Sequence, residues 1–459
     1  MRSGGYVQSH VQSLMAAPYI FASTMPYPVQ GTDYAQSMID AVPETCIKLP
    51  NTLYLISGSF NVIFLYILAF NTQTRQLNVI GRTDAFGPHQ YLTRNTAIDR
   101  LYTTTWAWPP TLSSWLINWN EWDAYERYPT LEHLNIVPIT STSSYITLTD
   151  SHIYSVGGPT GEVHQIDPSS KGFGEMAQQL LYVDPDELPS EDKTRSALRN
   201  GSHAVEFTTA GFAFVPHLGR NSIWMYKLDR LSGKLTFLSE NKSPREGDAP
   251  RHVIPSSNEK YLYSVTEHTS FVDVYEIADD HLEHRQSASI LPPGSDQHNY
   301  RGDTLRLSRK HFPLRPPEQD IQWSEEQEPV SYLFATTRGA TSEYKGYLAA
   351  FAISSDGLIL NPSDQFSHLP LPHIFQTPTS GGKANAIELA PYKISSRSTP
   401  GSDDAEWIVL TDSEEGWIFI VEWSGKRGSF EIISSVLLEV GVDGDWNKRA
   451  LASHAIWLA

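Results

Sequence analysis

The sequence predicts an all-β chain folded as a seven-bladed β-propeller, with four-stranded antiparallel blades around a central channel. Three observations lead there: a composition rich in aromatic and turn residues but poor in charge, a hairpin pattern that recurs along the chain, and a strand–turn–strand pattern upstream of it. Aromatic residues make up 11% of the 459 residues, with 12 Trp and 22 Tyr; Gly (29) and Pro (30) are plentiful, and charged residues reach only 19%. Aromatic side chains pack well on pleated surfaces, and Gly and Pro punctuate short strands. Length alone implies domains of roughly 150 residues, but all-β units often exceed that size as one body. A chain this long buries a large core, so it needs no disulfide or metal to fold.

Residues 1–48 carry none of the repeat and read as an N-terminal extension or cap, which leaves 49–459 as a single propeller domain. The longest apolar run, Val62 to Phe70, is far shorter than the roughly 20 residues needed to span a bilayer; it reads as a buried strand. The outer hairpin recurs at 66–80 (YILAFNTQTRQLNVI), 224–238, 273–287, 347–361 and 418–433, with Asp, Ser, Gly or Asn supplying the turns. The upstream pattern stands at 260–275 (KYLYSVTEHTSFVDVY), 331–351 and 406–421. Stacking the two gives four strands per unit of roughly 40–50 residues, the signature of propeller blades. An irregular array of β-sandwiches is the alternative. Seven units begin near Leu53, Ala97, Ser144, His203, Arg251, Arg301 and Lys383. Polar insertions at 309–329 and 393–404 read as exposed loops, and 185–201 as a loop or short helix between blades. The final segment, SHAIWLA (453–459), is expected to pair back into a blade and close the ring, which removes an open sheet edge.

The net charge of −18 makes nucleic acid a poor partner, because such a surface repels phosphate. A small anionic substrate remains compatible, given a local cluster of arginines. The single cysteine, Cys46, excludes an intrachain disulfide and favours a reducing, cytoplasmic compartment without excluding secretion. The N-terminus lacks a sustained apolar core after a basic start, so it is a poor signal peptide. The run DDHLEH (279–284) offers metal-ligand types but falls on a hairpin turn, and no paired Cys or His-x-x-x-His spacing supports zinc. A phosphate-binding glycine loop and a Gly-x-Ser-x-Gly elbow are both absent.

Several segments of the second half carry a family resemblance: TPTSGGKANA (377–386) followed by TDSEEGW (411–417), GDAPRHVIPSSNEKYLYSVTE (247–267), YRGD (300–303), TTRGATSEYKGYLAAF (336–351), GSHAVEF (201–207) and the closing HAIW (454–457). With these the chain resembles the fungal 3-carboxy-cis,cis-muconate lactonizing enzymes, the carboxymuconate cyclases of the seven-bladed lactonase superfamily. The resemblance runs from about residue 201 to the end and is faint over 49–200. It implies a cofactor-free cycloisomerase that closes a lactone by adding a substrate carboxylate across a C=C bond. It also implies a site at the channel mouth made of His203, Arg251, Glu267 and Arg338.

Each residue type suits that chemistry. Arg251 and Arg338 would clamp carboxylates and stabilise enolate-like charge, since guanidinium is always charged and binds carboxylate bidentately. His203 would deliver the proton, because an untuned imidazole titrates near neutrality. Glu267 would orient His203, share its role or hold an arginine. As structural roles, the arginines would be salt bridges between blades, His203 a satisfied strand-start histidine, and Glu267 a buried partner of Arg251. Lys383 would meet an anion in the channel or cap a turn, Arg301 and Asp303 would pair under the site, and Asn385 would bind substrate or cap a strand.

One departure stands out. The family's Gly-His-Pro-Arg-type segment before the third blade is replaced by TSTSSYITLTD (140–150), and Trp106, Trp108, Trp115, Trp119 and Trp122 crowd the second blade. An aromatic rim would favour a bulkier unsaturated secondary metabolite. Lactone hydrolysis and a non-catalytic binding propeller complete the alternatives. The partner implied is a small anionic or polyunsaturated molecule, with neither membrane nor nucleic acid.

Overall fold

The structure, a computed structural model, describes residues 51–121, 127–308, 331–360, 372–391, 405–425, 427–440 and 449–458. The N-terminal 1–48 and the expected insertions at 309–329 and 393–404 lie outside the described residues.

Seven four-stranded antiparallel sheets form the blades. The first contains β1 (Thr52–Ser59), β2 (Phe64–Asn71) and β3 (Gln76–Asp84). The second runs β4 (Leu92–Arg94), β5 (Arg100–Thr104), β6 (Thr111–Glu121), β7 (Arg127–Pro138), and the third β8 (Tyr145–Leu148), β9 (His152–Gly157), β10 (Thr160–Ile166), β11 (Phe173–Leu181). Blade four holds β12 (Glu206–Phe207), β13 (Phe212–His217), β14 (Ser222–Leu228) and β15 (Leu235–Lys242). Blade five holds β16 (Pro250–Pro255), β17 (Tyr261–Thr266), β18 (Phe271–Ile277) and β19 (Leu282–Ser289). Blade six holds β20 (Tyr300–Leu307), β21 (Ser331–Gly339), β22 (Tyr347–Ile353) and β23 (His373–Gln376). Blade seven holds β24 (Ile387–Leu389), β25 (Ala405–Thr411), β26 (Trp417–Ser424) and β27 (Ser429–Leu437). The last strand, β28 (Ala452–Trp457), pairs with β1 and completes the first blade. The first and last strands of the ring thus share one sheet, as SHAIWLA led one to expect, and β28 gives the first blade its inner strand.

The strands β28, β4, β8, β12, β16, β20 and β24 stand at the edge of each sheet, and contact runs from β12 through β16, β20, β24, β28 and β4 to β8. They are the inner strands that wall the channel. Each enters from the preceding blade, so all begin on one face, here called the mouth; the turns between second and third strands of every blade open on the same face.

Between blades, apolar side chains alternate from both sheets, as the period of two dictates. Where the ring closes, Phe70 packs edge-on against Trp407 at 5.1 Å and Trp457 at 6.3 Å. Each such ring contributes about 1.5–3 kcal/mol by leaving water. In six of the seven blades the pairing of the two outer strands breaks register, twice in the third blade and once in the others, and such bulges increase twist.

Two expectations need correction. The hairpin at 347–361 does not return through 358–361: β22 pairs with β23, and Ile359 makes only an isolated bridge to Ile353. Its backbone is bound instead by the Gln286 side chain of blade five, at 2.9 and 3.1 Å. The second unit begins at Leu92, and Ala97 lies in the turn that follows. Segment 185–201 contains a 3-10 turn, Arg195–Arg199. Among the described residues, no helix is long and apolar enough to cross a membrane.

Candidate active site

Two bulges aim the central side chains. Along β16 the register shifts between Pro250 and His252, so Arg251 is the extra residue. A bulge breaks the up–down alternation, and Arg251 and His252 consequently touch, with Nη1 to Nε2 at 3.2 Å. Along β20 a second shift falls between Gly302 and Leu305, across Asp303 and Thr304. Gly302 is needed there because a Cβ would lie 2.1 Å from the Thr266 carbonyl oxygen of the neighbouring blade. That close approach lets the Gly302 N–H donate to the Glu267 carbonyl at 2.8 Å, which fixes Glu267 just beyond β17.

The result is a four-membered charge cluster from blades five and six. Arg251 Nε lies 3.1 Å from Glu267 Oε2, and its Nη2 3.0 Å from Asp303 Oδ1. Arg338 Nη2 lies 2.7 Å from Glu267 Oε1, and its Nε 3.6 Å from Asp303 Oδ1. Arg251 Nη1 also donates to the Asp303 carbonyl at 2.6 Å. Two cations face two anions, so the cluster balances its own charge. Arg338 is the more open arginine, with 19% of its side chain exposed against 5% for Arg251.

His203 stands immediately ahead of β12, buried, with Nδ1 unpartnered. Ser144 holds its carbonyl at 3.1 Å. Its ring lies 5.4 Å from that of His252. Burial, then Arg251 and Arg338, push His203 well below the usual imidazole range. The sequence expectation of an untuned imidazole is therefore corrected: the surroundings disfavour its charged form strongly. His252 is depressed in the same way by burial and Arg251. Because arginine only donates, His252 Nε2 accepts from Arg251 and the proton of that ring belongs on Nδ1.

His203, Arg251, Glu267 and Arg338 thus come together as expected, with Glu267 holding both arginines. Arg301 does not join them. Its Nη1 donates to the carbonyls of His298 and Tyr300 at 3.1 and 2.7 Å; Asp303 pairs with Arg251 and Arg338 instead, because the bulge turns it toward them. Asn385 is buried and spends its amide on the Thr337 carbonyl at 2.9 Å, while its backbone N–H binds Asp303 Oδ2 at 2.8 Å. Its backbone supports Asp303, and its side-chain nitrogen is held by the Thr337 carbonyl. Lys383 is exposed at the mouth, its Nζ 5.6 Å from the Trp106 ring and 5.8 Å from Phe60. Of the tryptophans, Trp115 is core and Trp108 is exposed, while Trp122 lies outside the described residues. The DDHLEH run forms an exposed hairpin end, where His281 pairs with its neighbours Asp280 and Glu283.

Below the cluster a layer of rings crosses the channel. Tyr91 stacks on His454 at 3.8 Å and packs against Tyr145 at 4.1 Å, and Tyr145 faces His252 at 5.3 Å. Beyond it lies a cavity of about 360 Å³ bordered by Glu206, Arg306 and Glu388; none of the four predicted residues lines it. One guanidinium faces two carboxylates there: Arg306 pairs with Glu388 at 2.7 Å and donates to the Tyr91 hydroxyl, while Tyr145 donates to Glu206, whose carboxyl burial pushes up. Sequence reasoning missed this layer and Asp303's true partners. The available signal was the run of polar and aromatic residues at or near the start of almost every inner strand, where aliphatic residues would otherwise stand.

Residues 61–367 match the model of the family described as lactonase, 7-bladed beta-propeller. The chain belongs to that family. It is 30% identical over 419 residues to muconate cycloisomerase 1 of Cutaneotrichosporon cutaneum, a match covering 89% of this chain and 99% of that one. It is 27% identical over 239 residues to the carboxy-cis,cis-muconate cyclase of Neurospora crassa, covering 49% and 54%. Among solved structures, the periplasmic gluconolactonase PpgL of Pseudomonas aeruginosa matches with a TM-score of 0.62 at 13% identity, over 89% of this chain and 99% of that chain. A likeness at that identity speaks for the lactonase propeller fold alone.

Proposed function

We propose that the protein is a cofactor-free cycloisomerase of the carboxymuconate-cyclase type. The observation that carries this reading is an imidazole, His203, kept uncharged beside a self-neutralised pair of arginines at the channel mouth, in a chain similar along most of its length to a muconate cycloisomerase. The bond to be made joins a carboxylate oxygen of the substrate to an alkene carbon. The π electrons move onto the neighbouring carbon and its attached carboxylate, and a proton then joins that carbon. The nucleophile belongs to the substrate, so the protein has to fold it into a near-attack shape, stabilise enolate-like charge and supply the proton.

Arg338, the more open guanidinium, meets the developing charge. Arg251, bound by Glu267, Asp303 and His252, is a positioning residue. His203 delivers the proton, and the tuning of its environment dictates when. In the free protein burial, and after it the two guanidinium groups, disfavour an imidazolium; a polyanionic substrate beside the ring favours the charged form, so proton uptake accompanies binding. Protonation is thereby confined to the complex.

Following the diene absorbance of 3-carboxy-cis,cis-muconate tests the reading: the expected result is loss of the diene with lactone as product. A folded protein that leaves the diene untouched refutes it. Hydrolysis of a sugar lactone is the second reading, favoured by 37% identity over 91 residues to the 6-phosphogluconolactonase of Erwinia tasmaniensis, although that match covers only 20% of this chain and 27% of that one. Lactone opening without diene cyclisation would select it.

A further inference from the structure

We infer that Lys383, Arg195 and Arg199 form a carboxylate-binding subsite over the channel mouth, with the Trp106 indole as its apolar wall; the inference rests on the reading that the mouth takes a carboxylate-bearing substrate. Arg195 and Arg199 stand in the connection between blades three and four, and Lys383 in the connection from blade six to blade seven. These connections start on separate parts of the ring. Yet Arg195 Cζ and Lys383 Nζ each lie 5.6 Å from the centre of the same Trp106 ring, which belongs to blade two. Side chains from such distant blades meet only where a connection reaches over the channel. The same connection continues directly into His203, and Lys383 precedes Asn385, the residue that holds Asp303. Lys383 and Arg195 therefore border the mouth that contains the charge cluster, and Arg199 ends the same 3-10 turn that Arg195 begins.

Among the described residues their charges have no carboxylate counter-ion, whereas those of the cluster do. Arg251 and Arg338 are balanced by Glu267 and Asp303. Lys383, Arg195 and Arg199 have no carboxylate within ion-pair distance among the described residues, and all three are exposed. Burial, Arg195 and Arg199 all hold the Lys383 ammonium below its ordinary range, as expected for like charges gathered without a counter-ion. On a chain of net charge −18, such a group is a local reversal of the field that would otherwise turn an anion away. Trp106 is fixed for its part, its N–H donating to Gln90 Oε1 at 2.7 Å and its ring packed on Phe60 at 4.7 Å. Cations beside a flat apolar wall fit a planar conjugated or aromatic polycarboxylate: the carboxylates meet the cations and the π system meets the indole.

The probe is trimesate, a planar aromatic tricarboxylate, with benzenetrimethanol as its uncharged counterpart, titrated calorimetrically into the full-length protein. Wild type is expected to bind trimesate and not the triol. Lys383→Ala, Arg195→Ala and Arg199→Ala are each expected to weaken binding about tenfold, and the triple variant about 100-fold or more. Lys383→Arg is expected to retain it. Since the three side chains are exposed, melting temperatures should be unchanged, which separates loss of binding from loss of fold. Equal trimesate affinity in wild type and triple variant, or no saturable binding by wild type, overturns the subsite. Charge-dependent trimesate binding in a protein that leaves carboxymuconate untouched supports the subsite and removes the cyclase reading.

Discussion

Replacing Asp303 by Asn tests whether the cluster behaves as one electrostatic unit. Asp303 is fully buried; it faces Arg251 at 3.0 Å and Arg338 at 3.6 Å and accepts from the Asn385 backbone at 2.8 Å. The substitution preserves volume and leaves an oxygen for Asn385, but it sets two guanidinium groups against Glu267 alone. Removing one member of a buried ion pair costs about 3–5 kcal/mol, and the retained hydrogen bond places this change near the lower end, about 3 kcal/mol. An unfolding entropy of about 2.1 cal/mol/K per residue over the roughly 410 residues from Lys48 to Ala459 amounts to about 0.86 kcal/mol/K, so the melting temperature should fall by about 3–4 °C. Differential scanning calorimetry on Asp303→Asn, Arg338→Gln and the double variant completes the test. The double variant restores charge balance, so it should be more stable than the sum of the single effects by about 1–3 kcal/mol. Strict additivity, or an unchanged melting temperature for Asp303→Asn, would refute the claim that these four groups share one balance of charge.

Three further outcomes are expected. His203→Gln should lower turnover of carboxymuconate by at least about 100-fold and abolish proton uptake on substrate binding, read as the dependence of calorimetric heat on buffer ionisation; heat independent of buffer in wild type would contradict substrate-coupled protonation. Acid should destabilise the fold. His89, His164 and His217 are each pushed down to about 4, with burial the largest cause, so the unfolded chain binds protons that the native state refuses. Stability is then complete above about pH 6.5 and is lost as pH falls toward about 4, by about 1.4 kcal/mol per histidine per pH unit within that window; a melting temperature flat across it would count against the buried, neutral assignment. Trp457→Ala removes a buried ring on the closing strand, together with its N–H donor to the Glu388 carbonyl at 3.1 Å. It should cost about 3–5 kcal/mol, measured by denaturant unfolding, and a loss under about 1 kcal/mol would show that ring closure does not depend on it.

The sequence by itself determined the blade and its repetition. Alternation at 224–238 and 273–287 and turn residues between the strands are local properties, and strands read that way because side chains alternate with a period of two. The closing segment was legible for the same reason, and the types and approximate positions of His203, Arg251, Glu267 and Arg338 came with the family resemblance. Facing and partnership were decided only in three dimensions. Arg251 and Asp303 reach the cluster through bulges, and a bulge overrides alternation according to the partner strand's register, which no local pattern records. The same long-range dependence misled the hairpin at 358–361, which binds Gln286 of another blade, and hid Arg195 beside Lys383, because a connection crosses the mouth only once the ring has closed. The low proton affinity of His203 arises likewise from burial and two cations of other blades, a property of packing rather than of the neighbouring sequence.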